Sequence, residues 1–205
     1  MDSCNDLEVL REIEENVDKF INSLPCQSKM PMPEIKVEAK NPQYAKLLQN
    51  AFSGSEDSEL AAILQYLYHH ETIENKTIAN ALLCISMIEM HHYDILSELI
   101  SLLGENPFLY NSNKYFYSTG TIGYIDDPFA YLKEASNDKN DDKTSNEKTR
   151  IKLEKDILSE VNAINAYNFI QKNIKDKYIN KIIEKIIEDE KSHIRIFNAL
   201  IQKYC

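Results

Sequence analysis

Glu89 stands three residues before His92 in "IEMHHYDILSEL", and Glu190 stands three residues before His193 in "IEDEKSHIRIF". On a helix that spacing brings both side chains to one face, about one turn apart. A carboxylate and an imidazole placed this way can share a metal ion. The chain has only 5 histidines, yet it repeats the pair, both times inside an apolar-periodic segment. The chemistry to look for is therefore a centre holding two metal ions.

Helical bundles with such a centre take a Glu-x-x-His from each of two helices and a single glutamate from each of the other two. Height along the bundle axis selects the single glutamates. The first two long helices turn near Glu74 and Asn75, so the residue level with Glu89 lies fifteen positions before that turn, which is Glu59. The last two turn near Lys175, and the same count back gives Glu160. At ~1.5 Å rise per residue, each carboxylate lies roughly 22 Å from its turn. Glu59 is followed seven residues on by Tyr66, and Glu160 seven on by Tyr167. Both tyrosines fall on the glutamate's face and can donate a hydrogen bond that orients a ligating carboxylate; the plainer reading makes them core aromatics. Asp189, next to Glu190, is placed to orient a ligand histidine, whereas the residue before Glu89 is the apolar Ile88.

Four converging carboxylates in an apolar interior repel one another and lose hydration. Two divalent ions supply +4 against -4 and neutralise them. An oxygen-rich donor set with two imidazoles suits two manganese or two iron ions. The expected division has Glu89 and Glu190 bridging the ions, Glu59 and Glu160 as terminal ligands, and His92 and His193 each on one ion. His69, His70 and His91 read as structural or solvent-facing.

The elements that must position these residues follow from the apolar pattern. Leu7, Leu10, Ile13, Val17, Phe20, Ile21 and Leu24 predict an amphipathic helix over 6–24,. Pro25, Pro31, Pro33 and Pro42 then impose an extended strap,. This N-terminal region, 1–40, is expected either to pack on a main body, 41–205, or to reach a partner subunit. After a break at Ser53-Gly54-Ser55, with Ser55 or Ser58 as cap, long helices are expected at about 56–73, 76–103, 145–173 and 177–203,. Gly104 and Pro107 end the second, Thr144 with Glu147 forms a capping box before the third, and Asp176 caps the fourth. A connection over 105–145 joins the second helix to the third, aromatic at 108–124 and charged beyond. Two tight turns and one long crossover predict an all-α, ferritin-like four-helix bundle.

Bulk properties limit the partners. The 205 residues are long enough for one sizeable core,. With 33 acidic and 23 basic residues, a net charge of -10 and no basic stripe, nucleic acid and anionic membrane are poor partners,. Cys4, Cys26, Cys84 and Cys205 are scattered without a CxxC pair, which reads as reduced thiols, with Cys84 a buried one,. The acidic N-terminus resembles no signal peptide, and no apolar run is long enough to span a membrane. A soluble cytoplasmic protein is expected.

The segments "NPQYAKLLQNAFSGSEDSELAAILQYLYHH", "IEMHHYDILSELISLLG", "EKDILSEVNAINAYNFI" and "IIEDEKSHIRIFNAL" together resemble the rubrerythrin-like and manganese-catalase-like branch of the ferritin-like superfamily over residues 33–204. The resemblance implies metal ligands at Glu59, Glu89, His92, Glu160, Glu190 and His193. It implies a small-molecule substrate, peroxide or dioxygen, a homo-oligomer, and spore association as an alternative location. Where rubrerythrins carry an additional glutamate beyond the third-helix one, this sequence has Ala163, and it holds no paired CxxC motifs for an iron-sulfur module. Hydrogen peroxide removal by disproportionation, which needs no electron donor, is the expected function. Glu190, Tyr66 and Tyr167 are then the catalytic candidates, the carboxylates absorbing the charge change and a tyrosine or histidine beside them shuttling protons. A peroxidase fed by an external donor, a ferroxidase, and a non-catalytic metal-binding or spore-coat protein are the alternatives.

Overall fold

The computed structural model describes residues 3–55, 57–107 and 144–205, with side chains of residues 3–11 and 14 left aside. Helix α1 (Ser3–Ser23) leads into an extended strap, and α2 (Pro42–Gln49) continues through a π-helical turn (Asn50–Gly54). Four long helices follow: α3 (Glu59–Thr72), α4 (Lys76–Leu102), α5 (Ser145–Asn173) and α6 (Lys177–Tyr204). The aromatic stretch 108–124 and the charged loop after it lie outside the described residues.

Local chemistry sets the helix ends. Ser58 caps α3 by accepting from the Ala61 N–H, so α3 begins later than residue 56,. Asn75 accepts from the N–H groups of Thr77 and Ile78 to start α4. Gly104, at φ 93°, takes the left-handed conformation just beyond the end of α4,. Thr144 and Glu147 form the reciprocal capping box of α5,. One oxygen of Asp176 caps α6, and its other oxygen accepts the Glu38 N–H at 2.6 Å, which ties the strap to the bundle.

Helix α3 pairs with α4, and α5 with α6, as two antiparallel hairpins packed face to face. Their interior divides into two apolar groups. One gathers Leu48, Phe52, Ile95, Leu99, Ile179 and Ile183 at the α2 end. The other gathers Ile78, Leu82, Ile85, Leu153 and Phe197 at the opposite end. Along the chain the buried residues Glu59, Glu89 with His92, Glu160, and Glu190 with His193 each fall between members of the two groups.

The strap corrects the reading of the cysteines as reduced thiols. Cys26 and Cys84 form a disulfide with Cα atoms 6.1 Å apart. Fifty-eight residues separate them in sequence, and only the return of the strap across α4 makes them neighbours. Cys205 is a free, exposed thiol. Helix α1 is amphipathic as expected, but Ile13, Val17 and Phe20 remain about half exposed. Among the described residues no helix is long and apolar enough to cross a membrane.

Candidate metal centre

Each carboxylate and imidazole singled out by spacing arrives at the centre of the bundle. Glu59 comes from α3, Glu89 and His92 from α4, Glu160 from α5, and Glu190 and His193 from α6. All six are buried, none more than 4% exposed. Their donor atoms form two overlapping groups: Glu59, Glu89, His92 and Glu190 in one, and Glu89, Glu160, Glu190 and His193 in the other. Within each group the donor atoms lie within 4.8 Å of one another. Glu89 and Glu190 belong to both, so they stand between the two positions.

Both imidazoles turn Nδ1 toward the carboxylates. His92 Nδ1 lies 3.0 Å from Glu89 Oε2 and 3.3 Å from Glu190 Oε1. His193 Nδ1 lies 2.9 Å from Glu89 Oε1, 2.9 Å from Glu190 Oε2 and 3.3 Å from Glu160 Oε1. The rings are 6.3 Å apart between centroids.

The tyrosines serve the opposite hairpin rather than their own. Tyr66 on α3 donates to Glu160 Oε1 on α5 at 2.7 Å, while Tyr167 on α5 donates to Glu59 Oε1 on α3. Burial, reinforced by the Glu160 charge, pushes the Tyr66 phenol well above its ordinary value, so it stays a donor,. Each terminal carboxylate is thereby oriented by a helix it does not belong to.

Electrostatics in the cluster follow from burial and crowding. Burial, then the Glu89 charge, pushes the Glu59 carboxyl well up, and burial with Glu190 and Glu89 does the same to Glu160. Burial also opposes charge on Glu89, but the His193 and His92 imidazoles outweigh it and hold this carboxyl low. For both imidazoles burial favours the neutral ring, and the surrounding carboxylates reverse that and hold the proton.

The donor set fits a pair of ions. Glu89 Oε1 and Glu190 Oε1 are buried oxygens of the two shared carboxylates, and each faces an imidazole Nδ1, at 2.9 Å and 3.3 Å. Buried carboxylate oxygens are ordinarily hydrogen-bonded or bound to metal.

The model of the family "Manganese containing catalase" matches residues 26–123, and the Rubrerythrin model matches residues 152–205. A probable manganese catalase of Clostridium acetobutylicum is 26% identical over 191 residues, covering 83% of this chain and 75% of that protein. The crystal structure of a manganese catalase from Anabaena superposes with a TM-score of 0.63 at 21% identity, covering 85% of this chain and 78% of that one. The chain has the ferritin-like fold. Rhodobacter capsulatus bacterioferritin, crystallised with a metal-free dinuclear site, shares the fold at a TM-score of 0.53 and 22% identity, over 81% of this chain and 88% of that one.

Beside this cluster, Asp189 Oδ2 lies 3.1 Å from His92 Nε2. Spacing did not single out Lys185, 2% exposed, whose Nζ is 2.7 Å from Asp189 Oδ1. The signal was present, because Lys185 interrupts the isoleucine stripe of α6 four residues before an aspartate, about one helical turn,. His69 and Asp156 also escaped notice as a pair. They meet at 2.9 Å, and Gln65 donates to the same carboxylate at 2.8 Å. His70 is satisfied by the Ala79 carbonyl at 2.7 Å.

Proposed function

We propose that the protein removes hydrogen peroxide by disproportionation at a dinuclear manganese or iron centre held by Glu59, Glu89, His92, Glu160, Glu190 and His193. The observation that carries this reading is the pair of four-residue groups sharing Glu89 and Glu190. Shared carboxylates are what two adjacent cations need to sit close together. The names of the relatives favour manganese and peroxide.

Glu89 and Glu190, common to both groups, would be shared by the two ions, Glu59 and Glu160 would each complete one position, and His92 and His193 would each offer Nδ1. Such an ion pair supplies the two electrons that take one peroxide to water and recovers them from a second, which leaves as dioxygen. The residues of the chain handle protons and water. By releasing one of its two oxygens from the ions, Glu190 can hold a proton leaving peroxide and return it to water,. Tyr66 and Tyr167 keep Glu160 and Glu59 in place while charge at the centre changes,. Burial of all six residues keeps bulk water away from the reacting oxygens,.

The test is oxygen evolution from peroxide by protein reconstituted separately with Mn(II) and Fe(II). Turnover with either metal supports the reading, with manganese expected to be the more active. No oxygen release from either form removes it.

A further inference from the structure

The two imidazoles differ in what lies behind them. At His92 the outer nitrogen, Nε2, meets Asp189 Oδ2 at 3.1 Å. Asp189 is itself held from two directions: Lys185 Nζ reaches Oδ1 at 2.7 Å, and the Ser28 backbone N–H donates to the same oxygen at 2.7 Å. Lys185 also donates to Gln27 Oε1 at 3.3 Å. Gln27 and Ser28 belong to the strap, which the Cys26–Cys84 disulfide fastens to α4.

His193 has no such support. Its Nε2 is buried and has no hydrogen-bond partner among the described residues. An interval of 101 residues separates Glu59 from Glu160, Tyr66 from Tyr167, Glu89 from Glu190, and His92 from His193. The same interval sets Ile88 and Cys84 against Asp189 and Lys185. Where one half of the repeat has a buried ion pair behind its partner's histidine, the other half has an isoleucine and a disulfide sulfur.

We infer that the two ion positions are unequal: the Asp189 clamp, held by the strap, makes the His92 position the tighter one, and the His193 position fills second. The inference rests on the dinuclear reading above. A cation on Nδ1 requires a neutral ring whose proton sits on Nε2. At His92 that N–H finds a carboxylate already in place, which fixes the ring and raises its basicity. At His193 the N–H is buried without an acceptor, a cost that opposes ligation. Outer partners of this kind change metal affinity by about 10–100-fold. Asp189 is a positioning residue here, acting only through His92.

The experiment gives metal-free protein one equivalent of Mn(II), crystallises it, and compares the anomalous manganese signal at the two positions. Occupancy beside His92 is expected to exceed that beside His193 by about tenfold or more. Asp189→Asn keeps the shape but has a single, neutral acceptor oxygen, which cannot serve both His92 and the Ser28 N–H, so it should narrow the difference. Equal occupancy in the wild-type protein overturns the inference, as does a difference that Asp189→Asn leaves unchanged. Because the readout is occupancy, unequal filling in protein that releases no oxygen from peroxide leaves the inference standing and removes only the catalase reading. Absence of Mn(II) from both positions overturns the inference, and the catalase reading is then decided by the oxygen measurement with Fe(II).

Discussion

At the scale of single residues, the centre is a set of charges that tolerate burial only in each other's company. Glu89→Ala removes a carboxylate common to both groups, and His193→Ala removes the imidazole of one. Glu89→Ala is expected to bind essentially no manganese or iron, and His193→Ala to bind at most one ion per chain, as measured by elemental analysis after reconstitution. Two ions retained in both variants would contradict the ligand assignment. The titration of these groups gives a second expectation. Glu59, Glu160, His92 and His193 are all displaced upward, so the folded chain holds their protons more tightly than the unfolded chain. Their contribution to stability is full below the ordinary values and is lost as pH rises through the folded ones. Glu89 and Asp189 are displaced downward, and their contribution disappears as pH falls through the ordinary carboxylate range toward their folded values,. Thermal melts of chelator-treated protein should therefore give a midpoint that declines from about pH 5 to pH 9. A midpoint that rises across that range would show that the cluster does not share protons in this way.

Among the elements, the strap does the least expected work. Its prolines exclude a helix, and its backbone is fixed at separate points: the disulfide at Cys26, Asp189 at Ser28, Asp176 at Glu38, and the Leu103 carbonyl at Asn41. Closing a loop across 58 residues restricts the unfolded chain by about 4 kcal/mol in the chain-entropy account,. Reduction, or the Cys26→Ser/Cys84→Ser double variant, should lower the thermal midpoint by several degrees, read by circular dichroism with and without reductant. An unchanged midpoint would mean that the remaining strap contacts suffice. The long helices need less explanation, since each starts at a cap and buries an apolar stripe that its own sequence marks out.

For the whole molecule, the polar centre joins the two hairpins. Tyr66 to Glu160 and Tyr167 to Glu59 cross from one hairpin to the other, and the shared glutamates come from α4 and α6. Ions bound at this level stabilise the folded chain by mass action, about 2.7 kcal/mol at a free concentration one hundred times Kd. Reconstituted protein should melt well above chelator-treated protein, and the gap should grow with metal concentration. Scanning calorimetry at several metal concentrations would check this; coincident transitions would show that the centre contributes nothing to joining the halves.

Helix positions, the fold class and the six residues of the centre were legible in the chain because each rests on a local or periodic rule. Caps precede apolar stripes, a spacing of three shares a face, and equal distances from a turn share a height. Contacts between distant segments obey no such period. The crosswise tyrosines, the disulfide that replaces the expected thiols, and the Lys185–Asp189 pair behind His92 depend on how the strap and the second hairpin return to the first. Spacing along one helix can say which face a side chain takes, but only packing decides which neighbour that face meets.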